Sequence, residues 1–144
     1  MKRVTIEEAS KLILQSVSEV SSERLPVTEC LGRILSKDIY TAIDQPPFPR
    51  SSMDGYAVRA EDIADATVEK PVVLKVVGYQ FAGDEPFGFL ERGHALRIMT
   101  GAVIPEGADC VVKQEDTDYG EEQVQIFNAI KAWDNYCPVG EDFG

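Results

Sequence analysis

The sequence predicts a mainly β fold with a minor α component: a compact, mostly antiparallel β domain that follows a small helix-plus-strand region. Three observations predict it. One helical stripe of apolar residues opens the chain, a proline-rich connector follows, and after the connector the apolar spacing changes from helical period to strand period. We expect a first region over residues 1–44 and a β-rich domain over residues 45–144.

The first region begins with a helix signal. Thr5 and Glu8 have the spacing of a capping box, in which the threonine caps the first turn and the glutamate reaches back. Apolar residues then recur at steps of three and four, which predicts an amphipathic helix over residues 5–20. The stripe can pack within its own domain, or it can need a partner outside this chain. Residues 33–40 are apolar in patches and predict a short strand.

The connector covers residues 44–50, where three of seven residues are proline. Proline fixes φ and removes an amide donor, so the segment should be extended and stiff. Beyond it, glycines separate four short β-branched or alternating runs, and residues 60–130 therefore predict a compact antiparallel sheet. The predicted strands cover residues 72–77, 95–99, 110–114 and 123–127.

The composition excludes several classes of protein. The chain is 44% hydrophobic and 27% charged, which suits a folded domain rather than a disordered one. The net charge of −11 falls entirely after residue 59, which disfavours nucleic acid and anionic membranes as partners and fits either a solubilising surface or an attraction for metal ions. Three cysteines without paired spacing, no signal-peptide pattern and no long apolar run predict a reduced, cytoplasmic protein.

Common catalytic and nucleotide-binding patterns are absent. The single histidine, His94, provides no histidine cluster for a metal and no paired nucleophile. Neither glycine-rich phosphate-binding fingerprint occurs in the sequence. The chain therefore does not contain a self-contained kinase or hydrolase site of a familiar kind.

Two loops carry residues that suit chemistry. In the first, a proline-rich approach leads to Ser51, Asp54 and Gly55, where a carboxylate in a tight turn can bind a cation. In the second, Thr100 and Gly101 follow a predicted strand, where a hydroxyl and backbone amides can hold an anion. Each loop alone also fits a plain turn, and spacing does not show whether Glu115 approaches either of them.

Four strings occur in order along the chain. With x for a residue not used in the comparison, they are Phe48-x-x-Ser51-x-Met53-Asp54-Gly55-Tyr56-Ala57-Val58-Arg59, Arg97-Ile98-Met99-Thr100-Gly101-Ala102-x-x-Pro105-x-Gly107, Val111-Val112-x-Gln114-Glu115 and Gly140-Glu141-Asp142. In their order and spacing they resemble the MoeA/gephyrin family of molybdopterin molybdenumtransferases, and only the N-terminal part of the family's longer proteins. The resemblance implies an N-terminal region like that of MoeA, with the β-rich domain forming one wall of the active-site cleft.

The resemblance also implies a reaction and a partner. Such enzymes insert molybdate into the dithiolene of adenylylated molybdopterin with the help of Mg²⁺ or another divalent cation, and AMP is released. The full-length proteins are homodimers, in which this domain faces the pterin-binding domain of the other subunit. The family's central, pterin-binding domain is not contained in this chain, so we expect the chain alone to be inactive. The other class of function left open is a non-catalytic scaffold, dimerisation or protein-anchoring module.

The resemblance assigns roles residue by residue. It implies catalytic roles for Asp54, Thr100 and Glu115, with Asp54 also the metal ligand. It implies substrate-binding roles for four further residues: Ser51, Gly55, Arg97 and Gly101. An acidic wall repels molybdate, phosphate and AMP, and a cation on Asp54 would resolve that conflict because it reverses the local charge.

The sequence departs from the family at one place. Many relatives carry arginines just before the Gly-Glu-Asp string, where this chain has Cys137, Pro138 and Val139. If those arginines bind anions, this chain lacks that contribution or takes it from another residue. Cys137 fits an ordinary loop cysteine better than a reactive thiol.

Overall fold

The computed structural model describes residues 4–143. The chain forms two compact units, Met1–Tyr40 and Thr41–Gly144. The predicted division at residue 44 lies a few residues further along the chain.

The first unit contains one α-helix, α1, over Ile6–Ser16. The predicted capping box is confirmed: the Thr5 hydroxyl accepts from the backbone N–H of Glu8, and the Glu8 carboxylate accepts from that of Thr5. The helix ends before the predicted residue 20 because Val17 turns to an extended conformation, with φ −106° and ψ 148°. Val17 is β-branched, which disfavours the helix slightly.

The apolar residues of the first unit lack a core. None of the described residues 4–40 is buried. In α1, Ile6 is 81% exposed and Ile13 is 61% exposed. The predicted strand over residues 33–40 is wrong: these residues form bends and irregular chain instead. Their apolar side chains are exposed, so in the described unit no sheet or core supports a strand there.

The second unit confirms the predicted mainly β fold. Its strands are β1 (Arg50–Ser51), β2 (Gly55–Val58), β3 (Val72–Gln80), β4 (His94–Ile98), β5 (Cys110–Lys113), β6 (Gln123–Ile126) and β7 (Tyr136–Cys137). Strands β3 to β6 correspond to the four predicted runs. β3 continues beyond the predicted residue 77, and a short 3₁₀ helix, Gln114–Asp116, takes the last predicted residue of β5.

Five strands form the main sheet, in the order β5-β2-β4-β3-β6. Adjacent strands are antiparallel except β3 and β4, which run parallel. An isolated bridge between Thr117 and Ile126 connects the segment after β5 to β6, so the sheet curls round toward its own other edge. β1 and β7 form a separate two-stranded pair.

The hydrophobic core lies on both faces of the sheet. One cluster contains Tyr56, Val58 and Val112, and the other contains Ala57, Leu96 and Ile98. Every residue of β2 is buried, so this strand shows no alternation between apolar and polar residues. The absence of alternation explains why sequence periodicity did not predict β2.

Candidate functional site

The first loop is fixed by Ser51, at the end of β1. Its side chain is only 1% exposed, donates to the carbonyl of Met53 at 2.6 Å and accepts from the Met53 N–H at 3.2 Å. The hydroxyl therefore closes a tight turn just before Asp54. The expected substrate contact of Ser51 stays a prediction, and in this structure the hydroxyl shapes the loop.

The two candidate loops are joined along their backbones. The Gly101 N–H donates to the Ser51 carbonyl at 2.8 Å, and the Ser51 N–H donates to the Ala102 carbonyl at 2.9 Å. Gly101 has φ +84°, a left-handed conformation that glycine adopts without strain. This exchange of hydrogen bonds brings the turn after β4 against the segment that carries Asp54.

Asp54 and Thr100 meet at the surface. The Asp54 Oδ1 atom accepts from the Thr100 backbone N–H at 2.7 Å and from the Thr100 hydroxyl at 2.8 Å. These two hydrogen bonds, from the backbone first and the side chain second, lower the pKa of Asp54 below its ordinary value, and the charge of Arg97 adds to the effect. Asp54 is therefore ionised near neutral pH.

Thr100 has only two donors, and both are directed at Asp54. The sequence led us to expect that this hydroxyl holds an anion directly. In the present arrangement an anion would have to displace Asp54 before it could accept the Thr100 O–H. In this structure the hydroxyl therefore orients and stabilises the Asp54 carboxylate. The hydroxyl lone pairs remain available as acceptors or as oxygen ligands.

The site offers a divalent cation one protein ligand, the Asp54 carboxylate. Within residues 4–143, the Oδ2 atom of Asp54 receives no hydrogen bond and is free to coordinate. No group of three or more His, Cys, Asp or Glu side chains in these residues is arranged to hold a metal. Mg²⁺ is commonly bound through one or two carboxylates together with substrate phosphates and water. Asp54 is thus a suitable single ligand for a cation that arrives with an anionic substrate.

Gly55 is required by the close approach of two strands. A Cβ atom at this position would overlap the backbone carbonyl of Val112 on β5. Gly55 also pairs with Ile98 on β4, so it lies between both neighbours of β2. Its role in this structure is to let β2 and β5 approach each other next to Asp54.

Arg97 lies on β4 beside Asp54's strand. Its guanidinium sits over the ring of Tyr56, 4.8 Å from the centroid, and one amino group donates to the Gln114 side-chain carbonyl. The other amino group, Nη1, is buried and has no hydrogen-bond partner among the described residues. A buried cationic donor without a partner is costly, so Arg97 carries an unsatisfied donor beside Asp54 and Gln114.

Glu115 belongs to the 3₁₀ helix Gln114–Asp116 and is exposed. The preceding residue connects it to the site, because the Gln114 N–H donates to the Asp54 carbonyl at 3.0 Å. The structure therefore places Glu115 at the same end of the sheet as Asp54, Thr100 and Arg97, and among the described residues its side chain forms no hydrogen bond or ion pair with them. Sequence reasoning missed Gln114, although it lies in one of the quoted strings.

The Gly-Glu-Asp string is held by an arginine that sequence reasoning also missed. Arg50 forms a salt bridge from Nη2 to Oδ2 of Asp142 at 3.0 Å and donates from Nε to Sγ of Cys137 at 3.4 Å. Cys137 is 4% exposed and lies in β7, paired with Arg50 on β1. Arg50 therefore brings a basic group beside positions 137–139, where the chain has no arginine.

No helix among residues 4–143 combines the length and apolar character that crossing a bilayer requires.

Comparisons with known proteins agree with this architecture. The family described as "MoeA N-terminal region (domain I and II)" matches residues 4–144. A molybdopterin molybdenumtransferase of Staphylococcus epidermidis is 36% identical over 139 residues, covering 96% of this chain and 33% of that protein. One of Bacillus subtilis is 38% identical over 143 residues, with the same coverages.

A solved structure of a MoeA protein has the same fold. The molybdopterin biosynthesis MoeA protein of Pyrococcus horikoshii superposes with a TM-score of 0.82 at 36% identity, covering 99% of this chain and 37% of that one. The chain spans about a third of the length of the curated relatives it matches. By its fold and its match to the family model, the chain belongs to the MoeA family and corresponds to the N-terminal region of its members.

Proposed function

We propose that this chain forms one wall of the active-site cleft of a molybdopterin molybdenumtransferase. The reaction is insertion of molybdate into the dithiolene of adenylylated molybdopterin, with release of AMP. The observation that supports the proposal most is the pairing of an ionised Asp54 with both donors of Thr100 on an exposed edge. The relatives named above bear the name of this activity.

The proposed role of Asp54 is electrostatic. A carboxyl whose pKa is lowered is a poor proton donor at neutral pH and a good ligand for a hard cation. When bound, Mg²⁺ or another divalent cation would supply positive charge to the molybdate and phosphate oxygens. Thr100 holds the carboxylate in one orientation, and Glu115 adds a second negative group at the same end of the sheet.

Arg97 is the proposed anion contact from this chain. Its partly buried guanidinium is oriented by Gln114 and by the ring of Tyr56. Its guanidinium suits a phosphate or molybdate oxygen, since charge-assisted bonds to oxyanions are strong. The unpaired Nη1 donor is buried and would reach such an oxygen only after a movement of the side chain. Gly101 and Ser51 support the turn that presents Thr100, and Gly55 supports the strand end next to Asp54.

We also propose that the active protein is a homodimer whose site is shared between subunits, and that it acts in the cytoplasm. The exposed apolar side chains of α1 support a partner, because a helix normally buries its apolar stripe. The three free cysteines, Cys30, Cys110 and Cys137, support a reducing compartment.

The proposal is tested with the chain alone and with a chimera, in which this chain replaces the N-terminal third of the Bacillus subtilis relative. Each is incubated with adenylylated molybdopterin, Mg²⁺ and molybdate, and the molybdenum cofactor formed is measured. We expect no product from the isolated chain and insertion by the chimera. An inactive but folded chimera contradicts the proposed function, and turnover by the isolated chain contradicts the shared site.

A further inference from the structure

Two exposed aromatic rings lie beside the candidate site. Tyr79 is 47% exposed and Phe81 is 51% exposed. Their ring centroids are 6.5 Å apart and their planes differ by 10°, so the rings are nearly parallel. We call Tyr79 and Phe81 the aromatic pair. Large rings left in water at a fixed, parallel orientation are suited to receive another flat ring.

The segment that carries the aromatic pair is held in place. Gln80, between the two rings, is 2% exposed and donates from Nε2 to the Glu85 carbonyl at 3.1 Å. The Phe81 N–H donates to Oδ2 of Asp84 at 2.9 Å. These contacts close the turn after β3, so the rings stand on a braced segment and not on a loose loop.

The same segment is bonded to the turn that carries Thr100. The Met99 N–H donates to the Gln80 carbonyl at 3.1 Å. A Cβ atom on Gly101 would lie 3.7 Å from the Cβ of Ala82, in ordinary van der Waals contact. The aromatic pair and the Asp54–Thr100 pair therefore border one continuous surface.

Strand register places Tyr79 on the same face of the sheet as Arg97. Tyr79 is the partner of Arg97 on β4, and Arg97 is the partner of Tyr56 on β2. Partnered residues project to the same side of a sheet, so Tyr56, Arg97 and Tyr79 lie on one face. Asp54 lies in the turn just before β2, hydrogen-bonded to Thr100 just after β4. β2 and β3 both flank β4, and at the usual strand spacing they lie about 10 Å apart.

We propose that the aromatic pair is a stacking subsite for a flat nitrogen heterocycle of the substrate, while its anionic part lies at Arg97. The inference rests on the proposed function and adds a ring-binding subsite to it. Arg97 lies one strand from Tyr79, and β2 lies two strands away, about 5 Å and about 10 Å respectively. Such distances suit a nucleotide or a phosphorylated pterin, whose ring and phosphate are separated by a few bonds. Stacking on aromatic side chains is tolerant of ring identity.

The charges around the aromatic pair favour an amino-bearing heterocycle. Asp84 is exposed and its Oδ2 accepts from the Phe81 N–H, so a carboxylate lies beside the aromatic pair, and the exposed Glu85 follows it in the chain. Carboxylates accept hydrogen bonds from exocyclic amino groups and repel phosphates. Adenine and pterin both carry such an amino group, and they are the two sources of a flat ring in the proposed substrate.

The test measures binding of AMP and of 6-hydroxymethylpterin to the intact chain by ligand-observed NMR, with ribose 5-phosphate as the ring-free probe. The variants are Tyr79→Leu and Phe81→Leu, which keep an apolar side chain and remove the ring. The matched control is Trp133→Leu. Trp133 is 65% exposed. Its backbone N–H donates to the carbonyl of Asp109, which lies just before β5, at the opposite end of that strand from Gln114.

We expect each ring removal to weaken binding of at least one heterocycle by about 10-fold, which is within the range measured for stacked bases. Trp133→Leu should leave binding unchanged, and ribose 5-phosphate should respond to neither change. An effect on AMP alone assigns the subsite to adenine, and an effect on the pterin alone assigns it to the pterin.

The inference is overturned if the unsubstituted chain binds neither heterocycle, if both variants bind as well as the unsubstituted chain, or if Trp133→Leu causes an equal loss. Failure here is distinguishable from failure of the proposed function. Asp54→Asn in the chimera reports on molybdenum insertion, whereas stacking of a neutral pterin on Tyr79 and Phe81 does not require the Asp54 charge.

Discussion

Both hydrogen-bond donors of Thr100 converge on a single carboxylate oxygen of Asp54, and among residues 4–143 the second oxygen of that carboxylate receives no hydrogen bond. One residue thus sets the orientation and the ionisation state of the other. The relationship makes separate predictions about the charge of Asp54, about its pKa and about the strands that support it.

Replacing the Asp54 charge should abolish most activity without harming the fold. Asp54→Asn keeps an oxygen that can accept both Thr100 donors and removes the negative charge. In the chimera we expect insertion to fall at least about 100-fold, as is common when a preorganised charge is lost from a site. Asp65→Asn, at an exposed carboxylate elsewhere in the domain, is the control. Equal rates for the Asp54 variant and the control would remove Asp54 from the site.

The Thr100 hydroxyl should be measurable through the pKa of Asp54. Thr100→Val removes one of the two donors that stabilise the carboxylate, so the Asp54 pKa should rise toward its ordinary value. Thr100→Ser keeps the hydroxyl and should leave the pKa low. NMR titration of the Asp54 carboxyl carbon makes the measurement. A pKa that is the same in all three proteins would contradict the geometry.

The same substitution has a pH-dependent effect on stability. A carboxyl whose pKa is lowered by folding contributes stability that is complete above its unfolded pKa and is lost as the pH falls through its folded pKa. Thr100→Val should therefore lower the free energy of unfolding at neutral pH. The part of the loss that comes from ionisation should disappear in acid, where Asp54 is protonated in both states. Denaturant unfolding at several pH values checks the direction.

Arg97 should matter less to the Asp54 pKa than Thr100 does. Its charge contributes less to the lowering than either hydrogen bond from Thr100. Arg97→Met should therefore raise the Asp54 pKa by less than Thr100→Val. Lys113→Met, which removes a nearby positive charge that does not contribute to the shift, should leave the pKa unchanged. A larger effect from Arg97 than from Thr100 would reverse this order.

Gly55 should tolerate no side chain. In Gly55→Ala the new methyl group overlaps the Val112 carbonyl, and β2 and β5 must separate to admit it. We expect a loss of at least about 3 kcal/mol in the free energy of unfolding, at the upper end for overpacking. Gly93→Ala is the comparison: Gly93 has φ +71° and open space around it, so only backbone strain of about 1 kcal/mol applies. Equal losses would show that strand approach is not the constraint.

The apolar stripe of α1 should serve association and not the stability of its own unit. Ile6→Gln and Ile13→Gln reduce the stripe at positions that are 81% and 61% exposed. In the chimera they should lower the dimer fraction measured by sedimentation, while Gln15→Ala should not. A chimera that sediments as a monomer without substitutions would contradict the proposed homodimer.

The sequence predicted the parts of the fold that have a local signal. The capping box at Thr5 and Glu8 and the alternating β-rich runs depend on neighbours along the chain, and the structure contains them. The strand expected over residues 33–40 failed because a strand needs a partner, and apolar composition does not show whether one exists. β2 was not predicted because burial on both faces removes its alternation.

The candidate site was only partly predictable, because contacts between distant parts of the chain bring its residues together. Its residues lie in loops 46 positions apart, and their meeting depends on hydrogen bonds between Ser51 and the turn after β4. Motif resemblance identified Asp54 and Thr100, but the direction of the Thr100 donors required coordinates. Gln114 and the aromatic pair were missed because neither shows a chemical pattern along the chain.

The backbone exchange between Ser51 and residues 101–102 has a thermodynamic consequence. It fastens two loops from distant parts of the chain into one rigid wall, and the buried Ser51 hydroxyl fixes the turn between them. A ligand that binds to such a wall loses little affinity to the ordering of loops, because the loops already lost their conformational entropy when the protein folded.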